Sequence, residues 1–211
     1  MQLLDVCGSK GCLSSTSPAF RRKLVDVAQA IGAHPDHLAT VIAFETAGTF
    51  SPSIKNPYSS ATGLIQFIGP TARKLGTTTG QLAAMSAVEQ MDYVRKYFSE
   101  LLKGPYPTLD RLYLTVFSPA FRDRPLDSVA YRAPSAAYEQ NKNFDRDGKG
   151  FFTVRDITTQ VRGIYNRAQS KPRVDVPPGS PLSAVVAVAA VGVAGIWAYA
   201  YRDELAKAFK G

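Results

Sequence analysis

From Leu182 to Tyr201 the chain runs for twenty residues without a charged side chain. Built largely of Ala, Val, Gly and Ile, the stretch is long enough as a helix to cross the roughly 30 Å hydrocarbon core of a bilayer. It closes with Trp197, Tyr199 and Tyr201, rings suited to a half-wet interface, and Arg202 marks the return to water. Before it, Lys171 to Pro181 carries Pro172, Pro177, Pro178 and Pro181, which reads as an extended spacer rather than a turn between packed helices. The sequence thus divides into a flexible N-terminus at 1–16, a folded body at 17–170, a Pro-rich linker at 171–181, a transmembrane helix at 182–201 and a polar tail at 202–211. The competing reading makes the apolar run a buried helix of the body. Arg167, Lys171 and Arg173 before the span balance Arg202, Lys207 and Lys210 after it, so flanking charge gives no orientation.

A body of about 170 residues can bury roughly 70% of its unfolded surface, so no metal or disulfide is needed to hold it together. The 211-residue chain is 45% apolar and carries a formal charge of +8, which excludes disordered and disulfide-scaffold classes. The excess is concentrated at 142–174, where eight basic groups face three acids. Nucleic acid, anionic lipid and an acidic wall polymer all suit such a segment, but the aromatic interleaving of a nucleic-acid groove is absent. Cys7 and Cys12 share one Gly-rich stretch, far in sequence from His34 and His37, so no local zinc set forms. They read as free thiols in a loose N-terminus, with a local disulfide as the alternative. No cationic region followed by an apolar stretch opens the chain, so no secretory signal is read.

The body reads as mainly α. Ser17-Pro18 starts a helix whose apolar positions are Phe20, Leu24, Val27 and Ile31, ending at Gly32. A second begins near Asp36 and stops at Gly48. Ser86 and Glu89 form a capping box before Val88, Met91, Val94, Phe98 and Leu101; Thr108 begins another helix, and Thr153 with Asp156 caps the last. Only residues 62–68 read as extended.

One residue breaks the pattern. Positions 38, 41, 42 and 45 lie on one helix face, so Glu45 stands where the stripe asks for an apolar side chain. Burial there raises a carboxyl pKa, and a carboxylic acid protonated near neutrality is what protonating a glycosidic oxygen requires. Spacing alone leaves open a glutamate that simply points to solvent beside Gly48.

Around it run Glu45-Thr46-Ala47-Gly48, Ser59-Ser60-Ala61-Thr62-Gly63-Leu64-Ile65-Gln66 and Pro70-Thr71-Ala72. This ordered set resembles the lytic transglycosylases, most closely the transglycosylase-like domains of phage virion and endolysin proteins, over about residues 18–168. The resemblance implies a lysozyme-like helical fold in which Glu45 cleaves the β-1,4 bond between N-acetylmuramic acid and N-acetylglucosamine in peptidoglycan, without a cofactor. One carboxyl acts twice in that family: it protonates the leaving oxygen, then takes the proton of the muramyl 6-hydroxyl as a 1,6-anhydro ring closes. The resemblance also makes Ser59, Ser60, Gly63 and Gln66 substrate-binding candidates. The family's Ala-Tyr-Asn-Ala-Gly motif is missing; Phe117-Ser118-Pro119-Ala120 occupies its place, and Tyr138 is the candidate to supply the absent hydroxyl. A membrane-anchored virion protein, in a phage with an internal membrane or in the host envelope, is the implied setting, with other virion proteins as partners and no nucleic acid.

Ordinary glycosidases use two carboxyl groups, and Asp123, Asp127 or Glu139 could fold back to make a hydrolytic muramidase. A non-catalytic, glycan-binding delivery protein is the other class. Residues 145–156 resemble an EF-hand loop with Asp145, Asp147 and Asp156 at positions one, three and twelve, but Lys149 at position five opposes a cation. The loop therefore reads as degenerate and metal-free.

Overall fold

The computed structural model describes residues 1–57 and 59–178. The predicted linker's last residues and the whole of the apolar run at 182–201 lie outside the described residues. Among the described residues no helix is long and apolar enough to cross a membrane.

The body is mainly helical. Its helices are α1 (Pro18–Ala30), α2 (Pro35–Glu45), α3 (Gly69–Lys74), α4 (Thr79–Ala84), α5 (Ala87–Lys96), α6 (Leu109–Phe117), α7 (Ala136–Asn141) and α8 (Val154–Ala168). Four of them start where the sequence places a cap. Ser17, Ser86, Thr108 and Thr153 each accept a backbone N–H of the first turn, and at Ser86 and Thr153 the reciprocal acid completes a capping box.

Helix α2 is the centre of the body. It packs against α1, α6 and α8, and Leu38, Ala39, Val41, Ile42 and Ala43 are all fully buried. A helix apolar on every side is a core helix rather than a surface one. Its small residues Ala39 and Ala43 allow close approach, and the outer helices cover it with single stripes such as Phe20, Leu24 and Val27 of α1 or Ile157, Val161 and Ile164 of α8.

The N-terminus corrects the prediction of a flexible arm. Strand β1 (Gln2–Leu4) pairs antiparallel with β4 (Arg173–Asp175), with Leu3 opposite Val174. Leu3, Leu4, Val6 and Leu13 are buried, each worth about 1.5–3 kcal/mol by removal from water. The Leu4 amide donates to Asp36 Oδ1 at 2.8 Å, joining β1 to the first turn of α2. The linker boundary moves for the same reason: 173–175 form a strand and Val176 is buried, so the body continues through the first half of the predicted spacer. Cys7 and Cys12 are not free thiols but a disulfide, their Cα atoms 4.0 Å apart.

A second two-stranded sheet pairs β2 (Val129–Arg132) with β3 (Phe151–Thr153). Phe117, Phe121, Tyr131, Phe144 and Phe152 form its aromatic filling through edge-to-face and stacked contacts. Residues 62–68 are a turn rather than a strand, closed by the Phe67 amide on Thr62 O and the Thr62 amide on Phe67 O.

Candidate active site

Glu45 is the last residue of α2. The helix stops there by a double closure of its end: the Ala47 amide donates to Phe44 O at 3.2 Å and the Gly48 amide to Ala43 O at 2.7 Å. Such a closure requires left-handed backbone, and Ala47 (φ 53°) and Gly48 (φ 84°) supply it. An alanine in that region costs roughly 1 kcal/mol or more, so surrounding contacts must hold it. Thr46 contributes, its buried hydroxyl donating to Ile42 O and accepting the Phe50 amide.

The Glu45 carboxyl is set apart by what it lacks. Among the described residues no hydrogen-bond donor and no cation pairs with it. Burial alone moves its pKa from the ordinary 4.5 up to about 7. By surface area the residue is only half-buried. The two observations are compatible, because neighbouring protein strips most of the carboxyl's hydration while solvent still reaches the residue. Tyr113 on α6 is close enough to feel the Glu45 charge. Burial chiefly, and the Glu45 charge secondarily, hold the Tyr113 hydroxyl protonated far above its ordinary range. Its ring packs edge-on against Phe44, with centroids 5.2 Å apart.

The other predicted site residues fall into two groups. Gly63 and Gln66 belong to one tight turn, in which Gln66 Nε2 donates to Gly63 O at 3.0 Å and Gln66 itself is left-handed (φ 53°). Ser59 and Ser60, both exposed, close the loop before it: Ser59 Oγ accepts the Ala61 amide and Ser60 Oγ the Gly69 amide. The space beside Gly63 is not left for a ligand. A Cβ there would lie 2.2 Å from Gln90 Oε1, so Gly63 is small to admit Gln90.

Gln90 is the positioning residue that the sequence hid. Fully buried on α5, it accepts the Leu64 amide at 2.7 Å and donates to Pro52 O at 3.0 Å and Leu82 O at 2.8 Å. One side chain therefore ties the segment leaving Glu45 to the Gly63–Gln66 turn. A glutamine within an amphipathic helix gives no sequence signal of this, because its partners Pro52, Gly63 and Leu64 lie 26 or more residues away.

Tyr138 is engaged within the β2–β3 region. Its hydroxyl donates to Asp145 Oδ2 at 2.7 Å and its ring stacks on Phe152. Tyr113, one helical turn before Phe117, is coupled electrostatically to Glu45, and nothing in the sequence pattern singles it out. The acids that could have supplied a second carboxyl are engaged elsewhere, Asp123 with Arg111 and Arg122, Asp127 with Arg155 and Glu139 with Lys142.

In the 145–156 loop Lys149 Nζ lies 3.5 Å from Asp147 and 3.3 Å from Asp156. Asp145 accepts the amides of Lys149 and Gly150. No family model matches the chain, and no curated protein matches it.

Proposed function

We propose that the protein is a peptidoglycan lytic transglycosylase in which Glu45 is the single general acid and base. The observation that carries this reading is the state of Glu45: a carboxyl at a helix end, without a partner among the described residues, with a pKa pushed up to about 7 and solvent still within reach. A group in that state is protonated often enough at neutral pH to give its proton to a leaving glycosidic oxygen, and ionises readily enough to take one back.

The reaction runs in two steps. The Glu45 carboxylic acid protonates the oxygen leaving the muramyl C1 as the glycosidic bond breaks. The resulting carboxylate then removes the proton of the muramyl 6-hydroxyl, whose oxygen bonds to C1 and closes the anhydro ring. Glu45 ends protonated, and no water is consumed. The single-carboxyl route is favoured over a two-carboxyl hydrolase because, among the described residues, no other acid bears on the titration of Glu45, and Asp123, Asp127 and Glu139 are each paired with arginine or lysine. Tyr113, kept protonated, is a candidate hydroxyl donor beside the reacting acid. The exposed loop around Ser59 and Ser60 is the candidate glycan-contacting edge.

The apolar run at 182–201 and its aromatic end support a membrane-anchored enzyme, carried in a phage particle or lodged in a host envelope. Glu45→Gln tests the reading, because the amide is nearly isosteric and has no proton to give. Clearing of purified cell walls should fall by about 10² to 10⁴-fold in a folded variant. Retention of more than about a tenth of the activity contradicts the assignment of a single general acid.

A further inference from the structure

The Cys7–Cys12 loop rests on the turn that carries Glu45. Gly8 and Gly11 meet Ala47 and Gly48 backbone to backbone: a Cβ on Gly8 would lie 2.2 Å from Ala47 C, and one on Gly48 would lie 2.1 Å from Gly11 O. The Lys10 amide donates to Ala47 O at 2.8 Å, and the Gly8 amide closes the loop on Gly11 O at 3.0 Å. The left-handed Ala47 and Gly48 that end α2 are thus held from outside by a short loop that one covalent bond and its own backbone hydrogen bond close. That bond is half-buried rather than sealed in the core.

The chemistry beside it is specific. A surface cavity of about 340 Å³ is lined by Cys7, Gly8, Ser9, Ile164, Arg167 and Lys171, and not by Cys12. Lys171 Nζ lies 3.1 Å from Cys7 Sγ. Thiol–disulfide exchange requires a thiolate to reach one sulfur in line with the S–S bond, and it proceeds fastest where the departing sulfur's charge is stabilised. A cavity opening on Cys7 alone, with two cations at its wall, offers an approach for an anionic thiolate and a resting place for a Cys7 thiolate.

We propose that the Cys7–Cys12 disulfide is a redox modification site for a dithiol reductant, and that its reduction releases the clamp on the Glu45 turn. A thiolate of the dithiol attacks Cys7 Sγ, the S–S bond breaks, and Cys12 leaves as a thiolate that takes a proton from water. The second thiol, once deprotonated, attacks the sulfur of the first. The mixed disulfide then breaks, Cys7 leaves as a thiolate beside the Lys171 ammonium, and the dithiol departs as its own disulfide. Two electrons pass from the dithiol to the protein. The consequence for activity rests on the function proposed above: a chain kept reduced has a slack turn after Glu45 and cleaves glycan poorly, and oxidation tightens it.

Dithiothreitol on the full-length chain, in detergent, tests this. Iodoacetamide labelling with mass spectrometry reads the state of Cys7 and Cys12, amide exchange reads residues 46–50, and wall clearing reads activity. Reduction should speed exchange at 46–50 and slow clearing at least tenfold, both restored on reoxidation. A Cys7→Ser/Cys12→Ser pair should behave as the reduced protein and ignore dithiothreitol. Lys171→Ala should leave oxidised activity unchanged and slow reduction severalfold. Full labelling with exchange at 46–50 and clearing both unchanged overturns the proposal, whatever Glu45→Gln does. Loss of exchange protection on reduction, with Glu45→Gln fully active, would instead keep the clamp and remove the catalytic reading.

Discussion

Two regions of this molecule use carboxyl groups in opposite ways. In the 145–156 loop every acid that shapes the backbone has partners: Asp145 accepts Tyr138 and two amides, and Asp156 accepts both the Thr153 cap and Lys149. Those hydrogen bonds and the Lys149 charge outweigh partial burial and hold both carboxyls below their ordinary pKa. At the end of α2, Glu45 has none of this among the described residues, and burial alone drives its pKa the other way. A partnered acid stabilises a turn and is chemically idle. An unpartnered one costs stability and can move a proton.

The largest expected difference between the two regions is in rate. If Glu45 must be protonated to start the reaction, kcat/KM falls tenfold per pH unit once pH exceeds about 7. A pH–rate profile flat to pH 9 would remove Glu45 from the first step.

Stability separates them next, and with opposite sign. The folded protein binds the Glu45 proton more tightly than the unfolded chain does, so this residue contributes nothing below pH 4.5 and an increasing cost between there and about 7. Glu45→Gln should therefore stabilise the fold by about 3 kcal/mol at pH 8 and by nothing near pH 4. Asp145 and Asp156 behave in the reverse way: their contribution is present above the ordinary carboxyl pKa and is lost as pH falls through their lowered values. Melting curves of the wild type and Glu45→Gln from pH 3 to 9 read both. A gain from Glu45→Gln that grows toward acid would break the comparison.

Much of the helical body was legible because caps are local. Ser17, Ser86, Thr108 and Thr153 announce their helices within four residues, and the Glu45 anomaly needs only the three-to-four spacing of one helix. What was not legible depends on distant partners. The strand at Gln2–Leu4 exists because Arg173–Asp175 lies beside it, and no local pattern says so. The short helices α4 and α7 carry too few apolar positions to declare a period. Gln90 looks like any helical glutamine until the loop it holds is in place, and nothing in the sequence pattern singles out Tyr113 until its coupling to Glu45 is seen.

A smaller effect is expected from Tyr138. With its hydroxyl committed to Asp145, Tyr138→Phe should lower the melting temperature slightly and leave the rate of wall cleavage unchanged. A large loss of rate at unchanged stability would return Tyr138 to the site. The smallest effect concerns metal. With Lys149 between Asp147 and Asp156, a calcium chelator should move the melting temperature by no more than about a degree, since a ligand bound weakly adds little by mass action. A clear rise with added calcium would mean that the lysine gives way to the ion.

The chemistry itself is read most directly from the ends of the glycan. Purified peptidoglycan digested by the full-length protein, followed by mass spectrometry of the released muropeptides, distinguishes the outcomes by mass alone. One carboxyl without a water-activating partner predicts 1,6-anhydro-muramyl ends, and their disappearance with Glu45→Gln. Reducing muramyl ends would contradict the single-carboxyl mechanism, and intact glycan under conditions where the wild-type protein is folded and oxidised would contradict catalysis altogether.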